Sequence, residues 1–147
     1  RIIKAKNVPI PGDGKLLTQL GHVSDLTDVM IRSIDLDIAK NQIYNCSGDK
    51  GVTIEGLIYK CAEVCNVDIN TINLCSFDYR KLDPKGRKAF PLRLSHYLTS
   101  IDKLKKDFNW KPKYDLSDGL QNSFDNDFKY KINDYFDPDS DASLFNK

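Results

Sequence analysis

Residues 42–65, QIYNCSGDKGVTIEGLIYKCAEVC, decide the fold class of this chain of 147 residues. The first part predicts a β-strand that ends at Gly48, since strand-forming residues run up to a glycine. Thr53 can then cap a helix. Apolar side chains recur in that helix at the spacing of one buried stripe: Ile54, Leu57, Ile58, Cys61, Ala62 and Cys65. A strand followed by an amphipathic helix predicts a mixed α/β fold.

Upstream of this stretch, residues 8–14 predict an extended segment that is closed by a tight turn. Pro9 and Pro11 forbid a helix there, and the Gly-Asp-Gly run at 12–14 supplies the positive φ angles of a reversal. Residues 16–23 predict a short returning strand. A helix capped by Ser24 or Asp25 is expected next, with an inward face formed by Leu26, Val29, Met30 and Ile34.

Downstream, the pattern predicts a strand over residues 72–78, a long loop over 79–96 and two helices. The loop contains two prolines and a glycine without periodicity, and such loops are usually functional or mobile. The first helix begins at Ser100 and ends before Trp110, and the second begins near Ser117. Their expected inward residues are Ile101, Leu104 and Phe108 in the first, and Leu120, Phe124 and Phe128 in the second.

Composition excludes several classes of protein. With 40% hydrophobic and 10% aromatic residues, the chain is too apolar to be disordered. No apolar run reaches the roughly 18 residues that a bilayer-spanning helix needs. The length suits one domain, for which we expect residues 1–133, followed by an acidic tail over 134–147. Because the chain starts at Arg1 and not at Met, we expect a piece of a longer protein.

Charge is distributed unevenly along the chain, although the formal net charge is only +1. Residues 79–113, called here the basic segment, hold eleven lysines and arginines against three aspartates. The flanking stretches are both net acidic. A basic stretch of this kind can attract an anionic partner over a Debye length of roughly 8–10 Å. The alternative is a solvated surface whose lysines are balanced by the acidic tail.

The basic segment contains the candidate binding residues. Its cations can neutralise phosphates, and the rings of Tyr79, Phe90 and Tyr97 lie between them, as on RNA-binding surfaces. The same arginines would clamp a diphosphate equally well, because a guanidinium matches phosphate oxygens in a bidentate way. The rings can alternatively belong to the core. The candidate RNA- or phosphate-binding residues are Arg80, Lys81, Lys85, Arg87, Lys88 and Arg93.

Cysteine and histidine spacing does not predict a metal site. Cys61 and Cys65 lie four apart on the apolar stripe, where a reduced cysteine packs as a small hydrophobic residue. No C-x-x-C pair exists, and His22 and His96 have no local catalytic motif. A Gly-rich dinucleotide fingerprint and a P-loop are also missing, so no catalytic and no cofactor-binding residue is assigned.

Five short motifs occur in an order that resembles the C-terminal half of an extended short-chain dehydrogenase/reductase. They are Pro9-Ile10-Pro11-Gly12-Asp13-Gly14, His22-Val23-Ser24-Asp25-Leu26, Tyr44-Asn45-Cys46-Ser47-Gly48, Asn109-Trp110-Lys111-Pro112 and Leu116-Ser117-Asp118-Gly119-Leu120. This is the NAD-dependent epimerase/dehydratase superfamily. The resemblance implies an α/β fold made of the substrate-lobe portion of that Rossmann-type enzyme, with mixed short strands and helices. It also implies that NAD(P) would bind through a missing N-terminal half, so that this piece alone is inactive.

Within that superfamily, residues 17–23 and 88–93 resemble the chloroplast stem-loop binding proteins and their cyanobacterial relatives. That resemblance implies RNA binding, in a plastid stroma or a cyanobacterial cytoplasm, and for the full-length protein an endoribonuclease activity. The alternative is the substrate lobe of a nucleotide-sugar epimerase or dehydratase, in which Arg93 would clamp the diphosphate. Such enzymes typically carry an arginine-aspartate pair where this chain has Leu20-Gly21. A third alternative is a scaffold that forms homo- or hetero-oligomers.

Overall fold

The computed structural model describes residues 1–4, 7–90, 93–131 and Leu144. Its strands are β1 (Asn7–Pro11), β2 (Leu17–Gln19), β3 (Gly51–Thr53) and β4 (Asn73–Phe77). Its helices are α1 (Val23–Asp35), α2 (Ile54–Val64), α3 (Pro84–Ala89), α4 (Asp102–Phe108) and α5 (Leu116–Asn126). Four 3-10 turns connect them, at Asp37–Ala39, Ile69–Thr71, Tyr79–Lys81 and Phe128–Tyr130. The mixed α/β class is therefore confirmed.

Two short sheets organise the strands. β1 and β4 pair in parallel, from Asn7 opposite Asn73 to Pro11 opposite Phe77, and β2 pairs antiparallel with β3. The Gly12 N–H donates to the Phe77 carbonyl at 2.9 Å, so the even-numbered residues of β1 direct their N–H groups towards β4. Pro9 and Pro11, which have no N–H, therefore lie at the odd-numbered positions, where β1 donates no hydrogen bond to β4. This placement explains how a proline-rich segment forms a strand.

Two apolar clusters form the core. The first lies between the β1–β4 sheet and helices α2 and α3, and its buried members are Val8, Ile10, Ile54, Ile58, Phe77, Ala89, Phe90 and Leu144. The second lies under α1 and α4, and its buried members are Val29, Ile101, Leu104, Phe108 and Trp110. The predicted stripe of α2 and the predicted inward residues of α4 are thus confirmed in their main members. The acidic tail predicted over 134–147 lies outside the described residues except for Leu144, which is buried.

The prediction for the inward face of α1 holds for Val29 and is wrong for the other three residues. Leu26, Met30 and Ile34 are exposed by 45%, 61% and 76%, while Val29 and Asp25 are buried. The cap is neither Ser24 nor Asp25, because the His22 side chain accepts the Ser24 N–H at 3.2 Å. Polar contacts explain the orientation: both Asp25 oxygens accept backbone N–H groups, those of Lys113 and Tyr114, at 2.9 and 3.2 Å.

The strand predicted over residues 42–48 is also absent, since no ladder forms in that segment of the described chain. Side chains of α4 hold the segment instead. Tyr44 donates its hydroxyl to Asp107 at 2.8 Å, and the Lys103 ammonium lies 4.6 Å from the centre of the Tyr44 ring. Tyr44 and Cys46 still pack on the second cluster, so the alternating pattern reports burial rather than strand pairing.

None of the helices in the described residues has the length and apolarity that crossing a membrane requires.

Candidate nucleic-acid interface

The segment predicted as a long loop over residues 79–96 contains the 3-10 turn Tyr79–Lys81 and helix α3, so that prediction is wrong. Asp83 caps the N-terminus of α3: its carboxylate accepts the Gly86 N–H at 2.8 Å, and Pro84 occupies the first turn. The helix has only six residues, and its buried face consists of Gly86 and Ala89. A face of such small residues over so few positions gives no apolar periodicity, which is why the sequence pattern hides the helix.

Arg80 and Lys81 share one carboxylate. Asp78 caps the 3-10 turn, and its Oδ1 accepts the Arg80 backbone N–H at 3.1 Å and the Arg80 Nε at 3.2 Å. The Lys81 Nζ lies 3.7 Å from the other oxygen of Asp78. The backbone N–H of Arg80, followed by its guanidinium, lowers the pKa of the Asp78 carboxyl. The two cations therefore present less charge to a partner than the sequence suggests.

The three cations of α3 are arranged differently. Lys85, Arg87 and Lys88 are exposed, whereas Gly86 and Ala89 face the first cluster. Among the described residues, none of the three forms an ion pair. Lys85 and Lys88 lie three apart on one helix face, where side chains start roughly 5–6 Å from each other. α3 thus carries a compact group of cations directed to solvent.

Arg93 is positioned by an aromatic ring. Its guanidinium carbon lies 4.1 Å from the centre of the Tyr97 ring, a cation–π contact. The Tyr97 backbone N–H donates to the Leu17 carbonyl at 2.9 Å, which fixes this stretch along β2. Phe90, at the end of α3, is three residues before Arg93, so their Cα atoms are at most about 11 Å apart. The sixth predicted cation therefore lies close to the end of α3.

The aromatic rings of the basic segment belong mainly to the core, the second of the two alternatives. Phe90 is 6% exposed and meets Phe77 edge-on at 5.3 Å between ring centres. Trp110 is equally buried, and its Nε1 donates to Asp28 at 3.0 Å. Tyr79 is half-buried against the first cluster. The cations of the segment are thus at the surface and most of its rings are not.

A small cavity of about 250 Å³ lies at the start of α1, lined by residues 21–23, Asp25, Leu26, Cys46 and Ser47. The His22 ring beside it stacks on Tyr114, with 3.9 Å between ring centres. Burial raises the pKa of the Cys46 thiol, so this sulfur is protonated at neutral pH. Among the described residues that line the cavity there is no lysine or arginine, so they offer little to a phosphate group.

The cysteines of α2 have the packing role that their spacing indicates. Burial raises the pKa of Cys61 to about 11, so its thiol is protonated at neutral pH. Burial also raises the pKa of Cys65. In the part of the chain that the structure describes, no three His, Cys, Asp or Glu side chains come together where they could hold a metal ion.

Most of the chain is similar to known proteins. The chain is 36% identical over 131 residues to the chloroplast stem-loop binding protein of 41 kDa b from Arabidopsis thaliana, which covers 87% of this chain and 33% of that protein. A crystal structure of UDP-glucose 4-epimerase from Thermotoga maritima superimposes with a TM-score of 0.67 at 21% identity, over 86% of this chain and 36% of the enzyme. The chain has the fold of the C-terminal part of an extended short-chain dehydrogenase/reductase. This fold is shared with solved epimerases and dehydratases.

A second short-chain dehydrogenase/reductase shows the same partial match. The dTDP-glucose 4,6-dehydratase of Bacillus anthracis superimposes with a TM-score of 0.59 at 21% identity, over 87% of this chain and 37% of the enzyme. No protein-family model matches the chain. The chain spans about a third of the length of the relatives that it matches.

One departure from the sugar-nucleotide members of the superfamily has a steric reason. Where those short-chain dehydrogenases/reductases typically carry an arginine-aspartate pair, this chain has Leu20-Gly21. The Gly48 N–H donates to the Leu20 carbonyl at 2.9 Å, so the two segments run in contact. A Cβ on Gly21 would lie 3.0 Å from the Ser47 Cα, too close for a side chain without a shift of backbone. The sequence alone does not predict this contact, because residues 21 and 47 are far apart along the chain.

Proposed function

We propose that this protein binds RNA through the cations of the basic segment, with Lys85, Arg87 and Lys88 as the main contacts. Arg80, Lys81 and Arg93 add to the same surface. The observation that carries the proposal is the exposure of the three α3 cations without a carboxylate partner in the described residues. The 36% identical relative, named as a chloroplast stem-loop binding protein, supports it.

Phosphate neutralisation predicts a steep dependence of affinity on salt, since each contact releases counterions. A fluorescence anisotropy titration of a labelled RNA hairpin against the chain, at several salt concentrations, measures this slope. The variant Lys85→Ala/Arg87→Ala/Lys88→Ala is expected to bind more weakly, with a slope reduced by about 2 to 3.

The matched control removes three cations outside the basic segment. Lys60 and Lys129 are held by Glu63 and Asp125, and Lys50 is exposed at the start of β3. The variant Lys50→Ala/Lys60→Ala/Lys129→Ala is expected to keep nearly the full slope. An equal loss in both variants would show a nonspecific charge effect and contradict the assignment of the site.

The plastid stroma is the compartment that we propose, because the 36% identical relative is named as a chloroplast protein. A cyanobacterial cytoplasm stays a prediction of the sequence resemblance. Localisation of a fluorescent fusion of the full-length gene product in the source cell distinguishes a plastid from a cytoplasmic signal.

A nucleotide sugar is the second candidate ligand, and the exposed guanidinium of Arg93 favours it. Held on the Tyr97 ring, that group can offer a fork of N–H donors to a diphosphate. The Thermotoga maritima epimerase was solved with UDP-glucose, and it shares the fold. This alternative predicts that UDP-glucose raises the melting temperature of the chain and that Arg93→Lys removes the shift. Leu20-Gly21, in place of the arginine-aspartate pair, argues against it.

A further inference from the structure

The rings of the basic segment have little surface left for a nucleobase. Phe90 is buried on Phe77, and Tyr79 packs against the first cluster with its ring over Gly12. The Tyr97 ring carries the Arg93 guanidinium on one face at 4.1 Å. Base stacking on aromatic side chains supplies about 1–3 kcal/mol per base in proteins that bind single strands. In the described part of the basic segment, the rings do not form the open platforms that such binding uses.

The three cations of α3, in contrast, are exposed to solvent. Between Asp83 and Asp102 the sequence contains no acidic residue. α3 is about 9 Å long at 1.5 Å per residue, and it carries three exposed cations over four positions. The buried Gly86 and Ala89 fix the side of the helix that faces the core, so the cations face solvent. The helix therefore offers closely spaced charges on a rigid element.

Closely spaced cations without open rings suit a nucleic acid that presents phosphates and hides its bases. Paired RNA does so: in an A-form helix the bases are stacked inside, and proteins contact phosphates and 2′-hydroxyls. Unpaired loops are recognised in the opposite way, by splayed bases that stack on aromatic rings. We infer that the basic surface of α3 and Arg93 binds the double-stranded stem of an RNA through its backbone, and not the unpaired loop. This inference rests on the proposed RNA binding.

Three labelled RNAs test the inference on the 147-residue chain. They are a hairpin with a stem of about 16 base pairs, a blunt duplex of the same stem without a loop, and an unstructured single strand. We expect the hairpin and the duplex to bind with similar affinity, and the single strand at least about tenfold more weakly at the same salt. Tighter binding of the single strand than of the duplex overturns the inference and leaves the proposed RNA binding intact. No binding of any RNA at low salt overturns both.

A paired set of variants locates the effect. Lys85→Gln/Lys88→Gln is expected to weaken binding of the duplex, while Lys60→Gln/Lys129→Gln leaves it nearly unchanged. All four side chains lie at the protein surface, and circular dichroism verifies that both variants fold. Unchanged affinity of the Lys85→Gln/Lys88→Gln variant for the duplex would overturn the inference, because α3 would not contact the stem.

Discussion

Asp78 decides how much positive charge the turn before α3 presents. Its carboxylate accepts the Arg80 backbone N–H and lies within ion-pair distance of both Arg80 and Lys81. The pKa of Asp78 is lowered, chiefly by that backbone N–H, so the carboxylate is ionised throughout the neutral range. The sequence shows two adjacent cations, and only the structure shows that one anion offsets them.

Replacing Asp78 with Asn is therefore expected to raise the affinity for RNA. The amide oxygen can still cap the turn, but it no longer neutralises Arg80 and Lys81. The salt dependence of binding should steepen by about 1 to 2. Fluorescence anisotropy with the hairpin measures both quantities. Asp68→Asn is the matched control, because Asp68 caps the turn Ile69–Thr71 in the same way and lies outside the basic segment. Equal affinities of the two variants would contradict the prediction.

Asp25 has a structural role that its sequence position does not reveal. It is 6% exposed, and its two oxygens accept the Lys113 and Tyr114 N–H groups. The contact joins the first turn of α1 to the segment that leads into α5. The sequence pattern predicts Ser24 or Asp25 as the cap of α1, whereas the structure shows Asp25 as a tie between distant segments.

Removing this tie is expected to be costly. Asp25→Ala leaves two partly buried N–H donors without their acceptor, which should lower the free energy of unfolding by about 2 kcal/mol. Urea denaturation followed by circular dichroism measures the change. Asp25→Asn keeps one acceptor oxygen and should lose less. If Asp25→Ala were as stable as the original chain, the hydrogen bonds would contribute nothing to folding.

At the scale of elements, α1 shows the limit of helical periodicity. The periodicity predicts one buried face formed by Leu26, Val29, Met30 and Ile34, but only Val29 of these four is buried. The side that contacts the rest of the fold carries Asp25, Val29 and Asp28. Periodicity identifies the two faces of a helix but not which one packs on the core, since hydrogen bonds can determine its orientation.

Truncation of the adjacent residues Val29 and Met30 should therefore lower the free energy of unfolding by very different amounts. Val29→Ala removes buried methyl groups from the second cluster and should cost roughly 2 kcal/mol. Met30→Ala changes a side chain that is 61% exposed and should cost less than about 0.5 kcal/mol. Chemical denaturation of both variants measures the difference. A larger loss of stability from Met30→Ala than from Val29→Ala would mean that the side of α1 with Leu26, Met30 and Ile34 is the buried one.

At the scale of the whole molecule, the apolar face of α1 has a consequence for behaviour in solution. Met30, Ile31 and Ile34 are each more than half exposed, and Ile38 follows in the next turn with 53% exposure. Contiguous exposed apolar surface favours association between molecules.

We expect the isolated 147-residue chain to self-associate through this face as its concentration rises. Met30→Lys/Ile34→Lys should reduce the weight-average mass measured by light scattering across a concentration series. Gln121→Lys/Ser123→Lys adds the same charge to exposed positions of α5 and serves as the control. If the control reduced association as much as the α1 variant, charge repulsion and not the apolar face would be the cause.

By itself, the sequence determined the order and type of most elements. The spacing of apolar residues in α2 and α4, the prolines and glycines around β1, and the accumulation of lysine and arginine over 79–113 all have local causes. These features depend on residues that are close together along the chain, and the structure contains the elements that they predict. The motif order likewise indicated the superfamily correctly, since it depends on the sequence and not on contacts.

The tertiary structure alone decided which face of α1 is buried, which rings belong to the core and which cations are offset by a carboxylate. The first two depend on residues that are distant along the chain: Asp25 with Lys113, Phe90 with Phe77, Trp110 with Asp28. The third depends on the conformation of the turn that brings Arg80 and Lys81 to Asp78. A hydrogen bond or a ring contact between distant segments leaves no periodic trace in the sequence. The tertiary structure also decides the short helix α3, because its small buried residues, Gly86 and Ala89, are recognised as an inward face only when the core beneath them is known.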